Sequence, residues 1–203
     1  MKITQSSILF VLFTSASFIS HSYSFILNVE YLLERFGSAE NLRSLTDLDL
    51  SSLGLISIDP LSFKELASLE RLVLSHNQIS DISADTFVNL VHLKEIDLSY
   101  NRLSELNPSV FGKMQQLTRL SLSGNKISSV DMLSSLLLPL SRLEYLDLSS
   151  NLLDHVELDM FNGQDGLQEL KLANNSISWM NQSGIAQSGT NDKLKKYRQN
   201  SLK

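Results

Sequence analysis

The stretch LKEIDLSYNRLSEL at residues 93–106 carries leucine or isoleucine at positions 93, 96, 98, 103 and 106. Neither the helical period of 3.6 residues nor the strand period of 2 fits the whole run. One asparagine, Asn101, stands where an apolar stripe would continue. The stretch therefore predicts a short strand followed by a turn that resets the phase of the pattern.

The same pattern occurs six times along the chain. Its first leucines are at positions 45, 69, 93, 117, 143 and 167, with offsets of 24, 24, 24, 26 and 24 residues. Self-similarity at a period of this size is typical of a solenoid, in which each repeat forms one coil. We therefore predict one array of six repeats over residues 45–190, preceded by a cap segment at residues 25–44.

The pattern L-x-x-L-x-L-x-x-N-x-L resembles the extracellular leucine-rich repeat family, in its 24-residue type found in Toll-like, Slit-like and chaoptin-like ectodomains. The resemblance covers residues 42–185. It implies an α/β solenoid, a horseshoe with a parallel concave β-sheet and an irregular or short-helical convex side. Extracellular relatives commonly close both ends with disulfide-bonded caps, whereas this chain contains no cysteine.

The asparagine has a physical role at position 9 of the repeat, where the chain leaves the strand. Main-chain N–H and C=O groups of the turn would be buried there without partners. An asparagine amide both donates and accepts hydrogen bonds, so it can satisfy groups on its own coil and on the adjacent one. The predicted ladder consists of Asn77, Asn101, Asn125, Asn151 and Asn175. Leu53 replaces the asparagine in the first repeat, which fits a terminal coil.

The second half of each coil has a column of its own. Phe63, Phe87, Phe111 and Phe161 stand 18 residues after the first leucine of their repeats, which predicts core positions. The fourth repeat lacks this phenylalanine and is two residues longer. We predict a short helix there, from near Asp131 to Pro139. Some of the leucines at 136–138 are then expected to be exposed, either by local repacking or as a partner-binding patch.

The first 24 residues have a different composition. Lys2 precedes the apolar run ILFVLFTSASFIS at residues 8–20, which has the length of a signal-peptide core and is too short to span a membrane. Ser22 and Ser24 are suitably small for a cleavage site before Phe25. We expect a signal peptide at residues 1–24, secretion, and no stable membrane insertion. The alternatives are cleavage after Ala16 and an uncleaved helix or anchor.

The cap segment has apolar residues at near-helical spacing and is predicted to form a helix; they are Ile26, Val29, Leu32, Leu33 and Phe36.

Residues 191–203 carry five basic groups and one acidic group, and form either a solvated tail or a segment that binds anionic glycans or membrane surfaces. Residues 25–190 carry 11 Lys/Arg and 21 Asp/Glu. An array this acidic would repel phosphate groups, so nucleic acid is not an expected partner.

No catalytic motif is visible, because the sequence has no cysteine nucleophile, no H-E-x-x-H and no glycine-rich phosphate loop. We expect neither an enzyme nor a cofactor. Asp49, Asp97 and Asp147 share one repeat position, but the coils separate them by roughly 5–10 Å, so an exposed acidic face is expected rather than a metal site.

Two glycosylation sequons begin at Asn174 and Asn181, and secretion would allow their use.

The resemblance also implies that the partner is a protein and that it docks on the concave face. Positions 3 and 5 of each repeat are predicted to face the hollow, with position 8 at its rim. Tyrosine and arginine are favoured at protein interfaces. The predicted partner-binding residues are Arg71, Glu95, Asp97, Tyr100, Arg119, Tyr145 and Asp147. Alternatively, Arg71, Glu95 and Arg119 form only a cross-strand charge ladder that keeps the face soluble.

These observations favour a secreted, non-enzymatic module that binds a protein ligand or receptor. Two alternatives remain open at this point. One is a matrix or adhesion protein that self-associates through an uncapped C-terminal repeat or through the apolar stretch of the fourth repeat. The other is a truncated product of a larger leucine-rich repeat receptor. Fold alone does not identify the ligand.

Overall fold

The computed structural model describes residues 25–161 and 163–181, so the predicted signal peptide and basic tail lie outside the described residues, as do residues 182–190. The strands are β1 (Phe25–Leu27), β2 (Asp47–Asp49), β3 (Leu55–Ile58), β4 (Arg71–Val73), β5 (Glu95–Asp97), β6 (Arg119–Ser121), β7 (Tyr145–Asp147), β8 (His155–Glu157), β9 (Glu169–Lys171) and β10 (Trp179–Asn181). The α-helices are α1 (Val29–Phe36), α2 (Ala39–Arg43) and α3 (Val130–Leu137), and 3₁₀ turns occur at Pro108–Phe111 and Leu158–Phe161.

Six of the strands form one parallel sheet in the order β2-β4-β5-β6-β7-β9. Each begins two residues after the first leucine of its repeat, and equivalent repeat positions pair across every neighbouring strand, as Leu72 pairs with Ile96. The central residue of each strand is buried, because it points into the core while its two neighbours point away. This architecture confirms the predicted α/β solenoid with a parallel sheet.

The asparagine ladder forms as the repeat pattern predicts. The side chain of Asn101 accepts a hydrogen bond from the backbone N–H of Ile79 (3.0 Å) and donates to the carbonyls of Leu74 (2.9 Å) and Leu98 (3.1 Å). One amide thus joins its own coil to the preceding one. Asn175, the last member of the ladder, makes the equivalent bonds but is only half-buried.

The phenylalanine column is buried and continuous over three repeats. The ring centroids of Phe63 and Phe87 lie 5.8 Å apart, and those of Phe87 and Phe111 lie 6.3 Å apart. In the fourth repeat, α3 occupies the place of the missing phenylalanine and packs between the two 3₁₀ turns. Leu136 and Leu137 are fully buried there. The expected exposure falls on Leu138 alone, which is 73% exposed.

The N-terminal segment differs in part from the predicted single helix. Ile26 lies in β1, which pairs in parallel with β3, and its side chain is 55% exposed. The helix begins only at Val29, because the side chain of Asn28 caps it by accepting a hydrogen bond from the backbone N–H of Tyr31 (2.9 Å). Gly37 ends α1 with a positive φ of 87°, and α2 then leads into the first repeat.

The convex side also contains more strand than the sequence indicates. In addition to β1 and β3, the strands β8 and β10 form a parallel pair. These strands lie outside the L-x-x-L-x-L segment that marks the strands of the main sheet, so the leucine pattern does not indicate them. Within the described residues, no helix has the length and apolar character required to cross a bilayer.

Candidate functional site

Position 3 of the repeats forms a continuous row across the middle of the sheet. Arg71, Glu95, Arg119 and Tyr145 are successive partners in the strand register. The Arg71 Nε atom lies 3.4 Å from Glu95 Oε1, and both side chains are partly exposed. Water screens such a pair, so it contributes at most about 1 kcal/mol to stability. The row is therefore a solvated surface with one internal ion pair.

Tyr145 is the centre of a second group of contacts on this face. The Arg119 guanidinium carbon lies 4.1 Å from the Tyr145 ring centroid, and the Lys171 Nζ atom lies 5.1 Å from it. The Tyr145 hydroxyl donates a hydrogen bond to Asp147 Oδ2 at 3.2 Å. Burial raises the pKa of this hydroxyl, which further favours the protonated form that donates the hydrogen bond. Two cations thus hold an aromatic ring in place on the open sheet.

The aspartates at position 5 have a local structural role that the sequence analysis missed. The Oδ1 atoms of Asp49, Asp97 and Asp147 each accept a hydrogen bond from the backbone N–H two residues later, at 2.9 Å. This bond caps the turn that leaves the strand. The Asp-x-Ser sequence that recurs at positions 5–7 of the repeat was the signal in the sequence for this capping role. Within the described part of the chain, no three potential ligand side chains are grouped as a metal ion would require.

Tyr100 lies at position 8, one turn away from the row of position 3. Its ring stacks on that of His76 with centroids 4.5 Å apart and planes within 8°. A Cβ atom added to Gly124 would come within 2.6 Å of the Tyr100 ring, so the glycine makes room for it. The ring faces are therefore covered by neighbours on both sides, although Tyr100 is 52% exposed. Tyr100 offers a partner mainly its edge and hydroxyl.

One position in the predicted face differs from the expectation. Val73, at position 5 of the second repeat, is only 5% exposed although the pattern places it toward the hollow. Asp49 and Asp97 flank it in the strand register. The structure thus groups Arg71 with Glu95, and Arg119 with Tyr145 and Asp147, while Tyr100 stands apart with His76.

The first predicted sequon lies on the surface at the end of the sheet. Asn174 is exposed, and its Nδ2 atom lies 3.4 Å from Ser150 Oγ. The second sequon begins at Asn181, the last residue of β10. Its two following residues lie outside the described part of the chain.

Comparisons with known proteins agree with this architecture. The family model described as "Leucine rich repeat" matches residues 43–103, 91–140 and 141–187. No curated protein matches the chain. The structure is similar to the crystal structure of the APL1 leucine-rich repeat domain, with a TM-score of 0.63 and 25% identity over 76% of this chain and 43% of that one.

A second similar structure comes from an octameric complex of Latrophilin 3, Unc5D and FLRT2, in which the leucine-rich repeats belong to FLRT2. The TM-score is 0.57, with 31% identity over 66% of this chain and 40% of the other. The present chain spans about two fifths of the length of each of these structures. Because the family model covers most of the chain and the six coils share one register, the chain belongs to the leucine-rich repeat family.

Proposed function

We propose that this protein is a secreted, non-enzymatic module that binds a protein partner on the concave face of its sheet. The observation that carries the proposal is the row at position 3, where Arg71, Glu95, Arg119 and Tyr145 are adjacent on an open sheet. Arginine and tyrosine are enriched among the residues that dominate protein interfaces. The presence of FLRT2 in a complex with other proteins supports the same class of function.

Arg119 and Tyr145 are the central residues of the proposed interface. The stacked guanidinium and ring form one amphipathic surface whose geometry is already set by Lys171 and Asp147. A partner that packs against this surface loses little conformational entropy on the side of the sheet, since the ring is held before binding. Asp97 contributes charge at the same level of the sheet, next to Glu95 on β5.

The test is a double substitution, Arg119→Glu with Tyr145→Ala. A partner would first be captured from purified extracellular protein domains with the wild-type chain as bait. The double variant should bind that partner about 2 kcal/mol more weakly, or roughly 30-fold, while its unfolding midpoint stays close to wild type. Affinity would be measured by surface plasmon resonance.

Lys126→Glu is the matched control, because Lys126 is exposed on the turn after the strand and not on the sheet face. It should leave the affinity unchanged. Equal binding by the double variant and the wild type would place the interface elsewhere. Oligomers that grow with protein concentration in sedimentation equilibrium, without any captured partner, would instead support self-association.

Secretion is a separate part of the proposal. It rests on the apolar run at residues 8–20 and on the exposure of Asn174. Expression in a eukaryotic secretory host should yield a chain that begins near Phe25 and carries sugar at Asn174. Intact mass and peptide mapping would check both points. Recovery of the chain with Met1 in the cytosol would contradict them.

A further inference from the structure

An open groove of about 730 Å³ lies outside the concave face. It runs along the loops that precede β6 and β7, at the edge of the sheet where the strands begin. We call it the edge groove, and its principal lining residues are Lys113, Gln115, Gln116, Leu138, Pro139 and Arg142. None of the seven residues in the proposed concave interface lines it.

The irregular fourth repeat builds one wall of the groove. The two additional residues of this repeat lengthen the segment that contains α3 and the loop after it. Leu136 and Leu137 fix the helix in the core, whereas Leu138 is turned out and is 73% exposed. Pro139 follows it directly and prevents the helix from continuing. The apolar wall of the groove is thus held by a rigid element.

The charge of the groove is opposite to that of the array. Lys113 and Arg142 line it, and no aspartate or glutamate is among its lining residues. The array as a whole carries 11 Lys/Arg against 21 Asp/Glu over residues 25–190. Other cations in the described residues, such as Lys94 and Lys171, are paired with glutamates at 2.8 and 3.4 Å. The groove therefore concentrates positive potential on an otherwise acidic repeat array.

The polar groups of the groove suit carboxylates. Gln115 and Gln116 carry amide N–H groups beside the two cations, and Gln116 Nε2 lies 3.4 Å from His92 Nδ1. Ammonium, guanidinium and amide donors together form charge-assisted hydrogen bonds with carboxylate oxygens. The apolar surface of Leu138, with Val91 in the same lining, adds a contact for an aliphatic side chain.

From this juxtaposition we propose that the edge groove binds an acidic segment of a protein partner, with carboxylates at Lys113 and Arg142 and an apolar side chain against Leu138. Acidic segments are repelled by the rest of the array, so long-range electrostatics guide them to this groove. The site is independent of the concave face, and a single partner large enough to reach both surfaces would gain affinity from each.

The experiment uses the ¹⁵N-labelled full chain and three synthetic peptides of equal length. One combines glutamate and leucine, one replaces its leucines with serine, and one replaces its glutamates with lysine. The glutamate–leucine peptide should produce saturable shifts of the amides around Lys113 and Arg142. The serine peptide should bind more weakly, and the lysine peptide should cause no such shifts.

Two groove variants separate the charge from the apolar contact. Lys113→Glu with Arg142→Glu should weaken the binding of the glutamate–leucine peptide about tenfold or more, because two attractive pairs become repulsive. Leu138→Ser should remove most of the difference between the leucine and serine peptides. Lys64→Glu with Lys126→Glu reverses two exposed cations outside the groove and should have little effect. Thermal unfolding would verify that every variant is folded.

Three results would overturn the proposal. The first is the absence of saturable shifts with the glutamate–leucine peptide, and the second is shifts that are spread over the concave face instead. The third is tighter binding of a sulfated heparin oligosaccharide than of the peptide at the same residues. That outcome would make the groove a polysaccharide site.

Discussion

At the scale of single residues, position 8 of every repeat has a left-handed backbone. The φ angles lie between 53° and 67° for Ser52, His76, Tyr100, Gly124, Ser150 and Asn174. The chain turns out of the strand at this position, and five of the six repeats tolerate the conformation with a side chain. Steric cost in the left-handed region is about 1–2 kcal/mol per residue. The backbone angle alone therefore does not explain the glycine at position 124. A further reason is the ring of Tyr100, which occupies the space that a Cβ atom would need.

We predict that Gly124→Ala lowers the free energy of unfolding by about 1–3 kcal/mol, because the new methyl group would overlap the Tyr100 ring. The same substitution in a Tyr100→Ala background should cost about 1 kcal/mol less, since the overlap is then absent. Urea unfolding of the four proteins in a double-mutant cycle would measure this coupling. A coupling energy near zero would show that the glycine serves only the backbone angle.

The asparagine ladder gives a second prediction at this scale. Asn101→Leu leaves the backbone N–H of Ile79 buried without its partner and removes one of the two amide hydrogen bonds that the carbonyl of Leu74 accepts, so it should cost roughly 1–3 kcal/mol or more. Leu53→Asn is the reverse exchange, from leucine to asparagine, at the equivalent position of the first repeat. There β2 is the edge strand of the sheet and Leu53 is half-buried. It should be mild. Similar denaturation midpoints for the two variants would contradict the role assigned to the ladder.

At the scale of elements, α3 shows how an irregular repeat is stabilised. The side chain of Ser129 accepts a hydrogen bond from the backbone N–H of Met132 at 3.2 Å and caps the helix. Ser129→Ala should therefore lower the unfolding free energy by about 1 kcal/mol. Ser128→Ala, one residue earlier on an exposed side chain, is the matched control and should change it by less than about 0.5 kcal/mol. Equal effects in thermal unfolding would remove the capping role.

The elements also show what the sequence could and could not predict. The strand positions follow from leucine spacing alone, and the helix near Asp131 follows from the longer fourth repeat. The sequence does not predict the orientation of Leu138, because that orientation depends on how α3 packs between the 3₁₀ turns at Pro108–Phe111 and Leu158–Phe161. The convex strands were missed because they lie outside the L-x-x-L-x-L segment that marks the strands of the main sheet.

The candidate site was predictable to the level of repeat positions and no further. A side chain at position 3 of one coil must lie beside position 3 of the next, so the row from Arg71 to Tyr145 follows from the register. Which neighbours touch depends on rotamers. Arg119 stands between Glu95 and Tyr145 and is found over the ring of Tyr145. Surfaces such as the edge groove are formed by loops of different coils. The repeat pattern does not specify the shape of these loops.

At the scale of the whole molecule, a solenoid is stabilised by contacts between neighbouring coils. The strands β5 and β6 have a paired strand on each side, whereas β2 and β9 are the end strands of the described sheet. In such an array each coil adds its own stability and that of its interfaces, so terminal coils open more readily than central ones. The ladder reinforces this arrangement, because each asparagine bonds to the coil before its own.

The corresponding prediction concerns native-state hydrogen exchange. The amides of Leu98 and Leu122, which bond to carbonyls of the next strand at 2.9 and 2.8 Å, should exchange most slowly. Leu50 directly follows the end strand β2, and its amide makes an equally short bond of 2.8 Å. It should nevertheless exchange faster than the amides of Leu98 and Leu122. The hydrogen-bond lengths are thus matched, whereas the number of neighbouring strands in the sheet differs. Equal protection at the three sites would mean that the array unfolds as one cooperative unit, without fraying from its ends.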